Sequence, residues 1–323
     1  MNTAVPMLLR REFWEHRSLW IAPLVWVGLI VIFFTWGFVQ ATGNEHAHAI
    51  VQAHSIDDMG LSAKDREEMQ QAMQIPDERK EIVLAFSFLG IFGLISVFMC
   101  FVVFFYLIDC LYTERKDRSI LFWKSMPLSD SQVVLSKAAV ALLIVPIGVI
   151  LLTALTQFLL YIIVWVRLHG SLVGDAMPDW SFLSWLRSQA IALGVMLSGV
   201  LWYAPIAGYL LLLSAWAKNK VFLWTVLPPI ALPILEKVFL GSDHVGRFLG
   251  RRFGGFIEEL KVDPHAFETS SGHGSEHLPR VSDVYDAIHL ANVFTSTEMW
   301  LGVAAAAAMV FVAIRIRRYR DES

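Results

Sequence analysis

The segment "IVLAFSFLGIFGLISVFMCFVVFFYLI", residues 82–108, decides the class of fold. It carries no charged side chain and exceeds the roughly 20 apolar residues that a helix needs to cross a bilayer. Further apolar runs share this character: 19–39, 138–166, 190–217, 221–235 and a short, Ala-rich run at 299–314 whose helix should begin a turn earlier. Only 17% of the 323 residues are charged, against about a quarter in soluble domains. The sequence predicts an all-α polytopic membrane protein with six transmembrane helices.

The distribution of Lys and Arg predicts the orientation in the membrane. Six spans place both termini on one side, and basic residues concentrate in short cytoplasmic loops. Basic residues cluster near the N-terminus, in the connection after the second span, at Lys218 and Lys220 and after the last span, whereas the external segments taken together are acidic. We therefore expect both termini in the cytoplasm of a bacterium, with the chain in the lipid bilayer of its inner membrane.

This orientation divides the chain into four parts. Residues 1–18 precede the membrane, and residues 19–240 hold spans one to five. Residues 19–240 also include an external segment, 41–81, and a cytoplasmic segment, 109–137, which connect spans. Residues 241–297 form an enlarged extracytoplasmic segment, and residues 298–323 form the sixth span with a basic tail.

Residues 1–18 are predicted to form an amphipathic helix on the inner leaflet. Val5, Leu9 and Phe13 recur every four residues, as an apolar stripe on one helix face requires. Basic and aromatic residues suited to the headgroup region flank the stripe: Arg10, Arg11, Trp14 and Arg17. The alternative is a plain basic flank to the first span.

The connection "CLYTERKDRSILFWKSMPLSDSQVVLSK", residues 110–137, mixes charges with large apolar residues. Ser129 and Gln132 have the spacing of a capping box, which would begin the third span. Pro127 ends any earlier helix. A short helix bearing Ile120, Leu121 and Trp123 within a basic rim would fit a groove on another protein. The alternatives are a helix lying flat on lipid, or one that packs only against its own bundle.

Prolines and turn residues predict several irregularities. Pro146 should kink the third span. Pro228, Pro229 and Pro233 should stop the fifth span or make it re-enter before Glu236. Three further segments are predicted: a tight hairpin at 217–220, a helix over 63–74 after a capping box at Ser62, and partial folding of 246–260 against the membrane or against 41–81.

The two cysteines, Cys100 and Cys110, are predicted to be buried thiols that lie too far apart to form a disulfide.

Several kinds of catalytic chemistry are missing from the sequence. It has no G-x-x-x-x-G-K-[ST] loop for nucleotide phosphates, no H-E-x-x-H and no G-x-S-x-G. The spans also lack the charged residues near the midplane that ion-coupled carriers usually need. The chain is therefore predicted not to be an enzyme, to hold no cofactor and to draw energy from another protein. We expect no nucleic-acid partner.

External histidines are weak candidates for a metal site. His46 and His48 follow the first span, and His273 and His277 lie in the 241–297 segment, with methionines also present outside. Such ligands suit a soft metal such as copper. The alternative is that they are solvated surface residues.

The whole pattern resembles the ABC-2 type permeases, the transmembrane subunits of one class of ABC transporter. The resemblance rests on the six spans, the basic opening "LLRREFWEHRSLWIAPL" and the phrase "ERKDRSILFWKSMPLSDSQVVLSK" after the second span. The 236–297 segment is longer than the outer helical hairpin common in that family.

The resemblance implies a function and a set of residues. Residues 1–18 would be the elbow helix of such a permease, with Arg10, Arg11, Trp14 and Arg17. The connection after span two would carry the coupling helix, seated in a groove of the ATPase: Glu114, Arg115, Ser119, Ile120, Leu121, Trp123, Lys124 and Pro127. Two copies of a separate ATP-binding subunit would hold ATP and Mg²⁺, beneath a homodimer or heterodimer of permeases.

Spans two and five would line the path for the transported molecule. Their few polar groups are Ser87, Ser96 and Thr225, so an amphiphilic or hydrophobic substrate, exported outward, is expected. Three other hypotheses are a membrane scaffold or sensor that reads an external ligand through 41–81 and 236–297, a copper-linked exporter, and a membrane-embedded enzyme.

Overall fold

A computed structural model describes residues 4–43, 64, 77–117, 129–169, 181–260 and 288–319. These residues form helices and short connections, with no strand among them. In chain order the helices are α1 (Ala4–Glu15), α2 (Ser18–Gly43), α3 (Asp77–Asp109), α4 (Tyr112–Lys116), α5 (Asp130–Ala139), α6 (Val145–Leu168), α7 (Phe182–Trp216), α8 (Val221–Leu240), α9 (His244–Leu260), α10 (Leu290–Thr295) and α11 (Thr297–Tyr319).

Six of these helical units are long and apolar enough to cross a membrane, as the hydropathy pattern predicts. They are α2, α3 with α4, α5 continued by α6, α7, α8 and α11. Large apolar side chains cover their outward faces; Phe33, for example, is 81% exposed. An exposed apolar surface that extends over several long helices is unusual in water and typical of contact with lipid, so it fits a multi-pass membrane protein. Cys100 also lies on this exposed surface, so the prediction that both thiols are buried is wrong for it and right for Cys110.

The most extensive contact between two helices of the described residues is that of α7 with α11. Their backbones approach closely because the contact residues are small. A methyl group added at Gly208 would lie 3.1 Å from the Cα and carbonyl oxygen of Ala306. Close backbone approach of this kind replaces the hydrophobic effect as the source of helix association in lipid.

The third span contains one turn of π-helix, Val140–Ile144, which ends two residues before Pro146. Its first helix, α5, begins at the predicted capping box: the Ser129 hydroxyl accepts from the Gln132 N–H, and the Gln132 side chain accepts from the Ser129 N–H. Pro146 removes one backbone donor, and the π turn is a common accommodation of such a loss inside a helix.

The fifth span, α8, is continuous from Val221 to Leu240, so the prediction that its prolines would break it is wrong. Pro228 cannot donate to the carbonyl of Trp224, and the hydroxyl of Tyr209 donates to that oxygen instead, at 3.3 Å. A neighbouring helix thus satisfies the group that the proline frees. The helix ends only at Gly241, whose φ of +63° is a left-handed C-cap.

The predicted tight hairpin between spans four and five is confirmed, because α7 ends at Trp216 and α8 begins at Val221. At the other end of α8 the chain turns sharply into α9, an amphipathic helix that covers the whole of the predicted 246–260 stretch. The buried Glu236 carboxylate fixes this corner by accepting hydrogen bonds from the Ser242 hydroxyl and from the His244 and Val245 N–H groups. Of the predicted helix over 63–74, only Lys64 is among the described residues, where it is helical.

Amide side chains form a small polar cluster inside the helix bundle, a feature absent from the sequence predictions. Gln157 of α6 donates to the carbonyl of Phe88 at 3.0 Å and accepts from the indole N–H of Trp185 at 3.0 Å and from the Gln189 side chain. These bonds hold α3, α6 and α7 together at the end of the bundle away from α1.

Candidate functional site

Two features of the bundle lie at opposite ends of α11 and are candidates for function. One is a group of ionised side chains at the end that carries α1. The other is a cavity at the end that carries α9. Arg317 of the first and Glu298 of the second are separated by about 28 Å along the helix, at roughly 1.5 Å per residue.

Six charged residues from α1, α4, α5 and α11 form what we call the charge cluster: Arg11, Glu12, Glu114, Asp130, Lys137 and Arg317. Four of them are almost fully buried, with exposures of 1% for Glu12, 2% for Glu114, 0% for Lys137 and 3% for Arg317. Buried ions are tolerated only when they are paired, since desolvating an unpaired ion costs several kcal/mol, on the order of the whole stability of a domain.

The distances show that Glu114 and Lys137 are the hubs of the charge cluster. Lys137 Nζ lies 2.7 Å from Glu12 Oε1 and 3.2 Å from Glu114 Oε1. Arg317 Nη1 lies 2.6 Å from Glu114 Oε2, and its Nε lies 3.3 Å from Asp130 Oδ1. Arg11 Nη2 approaches Glu114 Oε1 at 3.5 Å. Three cations thus face three carboxylates, so the formal charges balance.

Two further side chains complete the coordination of Glu12. The Tyr106 hydroxyl donates to Glu12 Oε2 at 3.1 Å, which links α3 to α1. The His16 ring stacks edge-on against Tyr106, and its Nε2 lies 3.6 Å from the same carboxylate oxygen. Burial, and then the charge of Lys137, lower the pKa of His16 below its ordinary value. His16 is therefore neutral at neutral pH and leaves the charge balance unchanged.

The start of the 109–137 connection is bound to the hairpin between α7 and α8. The Ser214 hydroxyl accepts hydrogen bonds from the N–H groups of Leu111 and Tyr112, both at 3.1 Å. The Arg115 guanidinium donates to the carbonyl oxygens of Ser214, at 2.6 Å, and Ala217, at 2.9 Å. Two donors at a helix start and two acceptors at a helix end are satisfied by these contacts.

Of the residues predicted to contact an ATPase, Glu114 and Arg115 are described, and both face the bundle. The others lie outside the described residues: Ser119, Ile120, Leu121, Trp123, Lys124 and Pro127. Among the N-terminal residues, Arg11 joins the charge cluster, whereas Arg10, Trp14 and Arg17 are exposed. Leu8 and Glu12 form the buried face of α1, while Phe13 of the predicted apolar stripe is exposed and packs against Trp20.

The sequence predictions did not identify Glu12, Tyr106, Lys137 and Arg317 as members of one site. A signal did exist for Lys137. It stands in the apolar stretch "VVLSKAAVALL", where an unpaired ammonium group would be very unfavourable, so a partner carboxylate was required. Which carboxylate it would be depends on the packing of helices that are distant in sequence.

The second feature, which we call the α9 cavity, has a volume of about 660 Å³. It lies between α7, α8, α9 and α11, and Phe104 of α3 contributes to its wall. Its lining is mainly aromatic and aliphatic, with Pro228, Pro229, Phe248 and Met309 among the members. Volumes of about 300–1,000 Å³ and walls of this kind are typical of small-molecule sites.

Of the three polar residues predicted along a transport path, Thr225 lines the α9 cavity. Ser87 and Ser96 are not among its lining residues, and the Ser87 hydroxyl is bonded to the carbonyl of Val83 in its own helix. The described residues contain no group of three or more side chains able to hold a metal ion. The weak metal candidates, His46, His48, His273 and His277, lie outside the described part of the chain.

No protein-family model, no curated protein and no solved structure matches this chain. The class that the fold defines is a helical, multi-pass membrane protein with six candidate spans.

Proposed function

We propose that this chain is the transmembrane subunit of an ATP-driven ABC exporter, of the kind that the ABC-2 permeases represent. A separate ATP-binding subunit, in two copies, would supply ATP and Mg²⁺ chemistry. Two permease chains, identical or different, would form the path through the bacterial inner membrane. The substrate would be an amphiphilic or hydrophobic molecule that moves outward.

The observation that carries this proposal is the anchoring of the 109–137 connection at both of its ends. On one side Glu114 and Arg115 bind α11 and the α7–α8 hairpin. On the other side Lys137 binds Glu12 and Glu114. A force applied to residues 118–128 between these anchors would reach α1, α3, α5, α7 and α11 directly. Rigid connections of this kind suit a segment that transmits movement from a partner.

Three further observations support the proposal. The sequence contains no P-loop motif, in keeping with a permease whose energy would come from a separate ATPase. Residues 115–124 combine large apolar side chains with basic ones, which suits docking in a groove. The α9 cavity supplies a largely apolar space at the far end of the same helices, where a hydrophobic substrate would be held.

Isolation of the partner tests this proposal. The full-length chain, carrying an affinity tag, is purified from its native membranes in mild detergent, and co-purifying proteins are identified by mass spectrometry. We expect a P-loop ATPase in about equal amount. The Trp123→Asp variant should lose most of that ATPase, since a buried anchor at the centre of an interface often contributes about 2 kcal/mol or more, roughly a 30-fold change in affinity.

Tyr319→Asp is the matched control, because Tyr319 is an exposed aromatic residue at the same end of the bundle, outside the 109–137 connection. It should retain the ATPase. Normal recovery of the ATPase with Trp123→Asp, or transport by the purified chain without any nucleotide-hydrolysing protein, would rule the proposal out.

A further inference from the structure

The walls of the α9 cavity offer almost no polar group to a ligand. The polar side chains that line its interior already have partners in the protein. The Tyr209 hydroxyl donates to the carbonyl of Trp224, the Thr225 hydroxyl to that of Val221, and the Trp202 indole N–H to that of Arg252. The rest of the interior surface is hydrocarbon and aromatic, so the interior suits an apolar chain.

Charged residues lie at one side of the cavity only. Arg251, Arg252 and Glu298 are the charged residues of its lining, so their formal charges sum to one positive charge. Glu298 is paired with Arg251, whose Nη2 lies 2.9 Å from Glu298 Oε1. Among the described residues, no carboxylate lies within ion-pair distance of Arg252, although that residue donates one hydrogen bond to the backbone oxygen of Glu298 at 3.3 Å.

The structure holds the Arg252 guanidinium at the cavity in a defined position. It lies over the ring of Trp202, with 5.2 Å between the guanidinium carbon and the ring centroid. Gly302 leaves the room that it needs, since a methyl group at that position would overlap the guanidinium. Burial lowers the pKa of Arg252, and the negative charge of Glu298 partly opposes this shift. A guanidinium has five N–H donors, and most of these remain for a ligand.

We propose that the α9 cavity binds a single-chain amphiphile with an anionic oxyacid headgroup, a carboxylate or a phosphate. The apolar chain would lie between α7, α8 and α11, and the headgroup would accept hydrogen bonds from Arg252, with Arg251 beside it. Planar guanidinium groups match these headgroups in geometry as well as charge. This inference deepens the proposed function and rests on it, because it names the class of molecule that the exporter would carry.

Binding to the purified, full-length chain in nanodiscs of a zwitterionic lipid tests the inference without any need for transport. The probes are radiolabelled oleate and 1-oleoyl lysophosphatidate, with oleyl alcohol and oleylamine as competitors of equal chain length. Oleate or the lysophosphatidate should bind saturably, and unlabelled oleyl alcohol and oleylamine should compete at least about 10-fold more weakly. Acetate and inorganic phosphate, which have the headgroup chemistry without the chain, should not compete.

Four variants locate the site. Arg252→Gln should weaken binding by roughly 10-fold or more, because a hydrogen bond to a charged group contributes about 1.5–3 kcal/mol. Arg247→Gln, just over one turn away on α9 and outside the lining, should leave it unchanged. Ala305→Phe should fill the cavity from α11 and abolish binding, whereas Ala304→Phe, the neighbouring exposed position outside the lining, should not. Size-exclusion profiles report folding of each variant.

Each contrary result overturns the inference. These results are no saturable binding of either anionic probe, equal binding to all four variants, or equal competition by oleyl alcohol or oleylamine. The outcome is separable from that of the proposed function. If an ATPase co-purifies but the chain binds neither probe, the exporter proposal stands and the proposed amphiphile site is ruled out. If the chain binds a probe but no ATPase co-purifies, the amphiphile site stands and the exporter proposal is ruled out.

Discussion

At the scale of single residues, Glu114 is the carboxylate that faces all three cations of the charge cluster. Its carboxylate faces Arg11, Lys137 and Arg317 within a buried region. The Glu114→Gln variant keeps the shape of the side chain and removes its charge, which leaves three cations with two carboxylates. Removing one partner from a buried pair costs about 3–5 kcal/mol. We expect a markedly lower unfolding temperature, measured on the detergent-solubilised chain by fluorescence.

Glu15→Gln is the control for this prediction. Glu15 pairs with the same Arg11 at 2.8 Å, but its side chain is 35% exposed, and exposed pairs contribute little. Its unfolding temperature should stay close to that of the original chain. If Glu114→Gln and Glu15→Gln lowered the unfolding temperature equally, the burial of the charge cluster would have no energetic importance.

Ser214 is the residue through which the fourth span holds the start of the 109–137 connection. Its hydroxyl accepts from two backbone N–H groups, those of Leu111 and Tyr112. Ser214→Ala would leave both donors without this acceptor, and a buried unpaired donor costs about 1–3 kcal/mol. We expect lower thermal stability and, in a complex with the proposed ATPase, weaker stimulation of ATP hydrolysis by substrate.

Ser198→Ala is the matched variant, on the same helix and equally buried. The Ser198 hydroxyl donates to the carbonyl of Val195 in its own helix, so its removal frees no backbone donor. The stability of this variant should be nearly unchanged. If Ser198→Ala were as destabilising as Ser214→Ala, a general loss of packing on α7 would be the explanation.

At the scale of helices, α8 shows how a proline-rich span stays continuous. We expect Tyr209→Phe to destabilise the chain by about 0.5–1.5 kcal/mol, because the carbonyl of Trp224 then loses its hydrogen bond. In a Pro228→Ala background the same change should cost much less, since the introduced alanine supplies its own backbone N–H to that carbonyl. A double-mutant cycle of unfolding temperatures measures this coupling. Additive effects would show that Tyr209 does not compensate for the proline.

The geometry of α9 follows from the corner that Glu236 organises. The carboxylate accepts from backbone N–H groups at the start of α9, where it also meets the positive end of the helix dipole. This contact fixes the direction in which α9 leaves the C-terminal end of α8. In that direction, Arg252 of α9 lies over Trp202. The corner of α8 and α9 therefore positions the charged side of the α9 cavity.

At the scale of the whole molecule, the orientation in the membrane is open to a direct test. Both termini are predicted to be cytoplasmic, and residues 241–297 are predicted to be external. A green fluorescent protein fused after Ser323 should therefore fluoresce in bacterial cells. Alkaline phosphatase inserted near residue 270 should be active, since it folds only outside the cytoplasm. The opposite pattern would place the 109–137 connection outside and contradict an ATPase partner.

Taken by itself, the sequence predicted all six helices that are long and apolar enough to span a membrane in the described part of the chain, and nearly all of their positions. Transfer of an apolar segment into lipid depends on about 20 consecutive residues, so the information is local. The capping box at Ser129 and the hairpin at 217–220 were predictable for the same reason, because each depends on residues within one turn.

Tertiary structure alone decided which residues meet. Glu12, Glu114, Lys137 and Arg317 are distant in sequence, and even Lys137, whose apolar surroundings call for a partner, does not indicate which carboxylate that partner is. Whether such charges face water or one another depends on helix packing, which in lipid follows from small contact residues such as Gly208 rather than from hydropathy. The continuity of α8 also depended on a partner, Tyr209, that belongs to another helix. Pairing between distant residues is a property of the assembled bundle, and for that reason local patterns did not predict it.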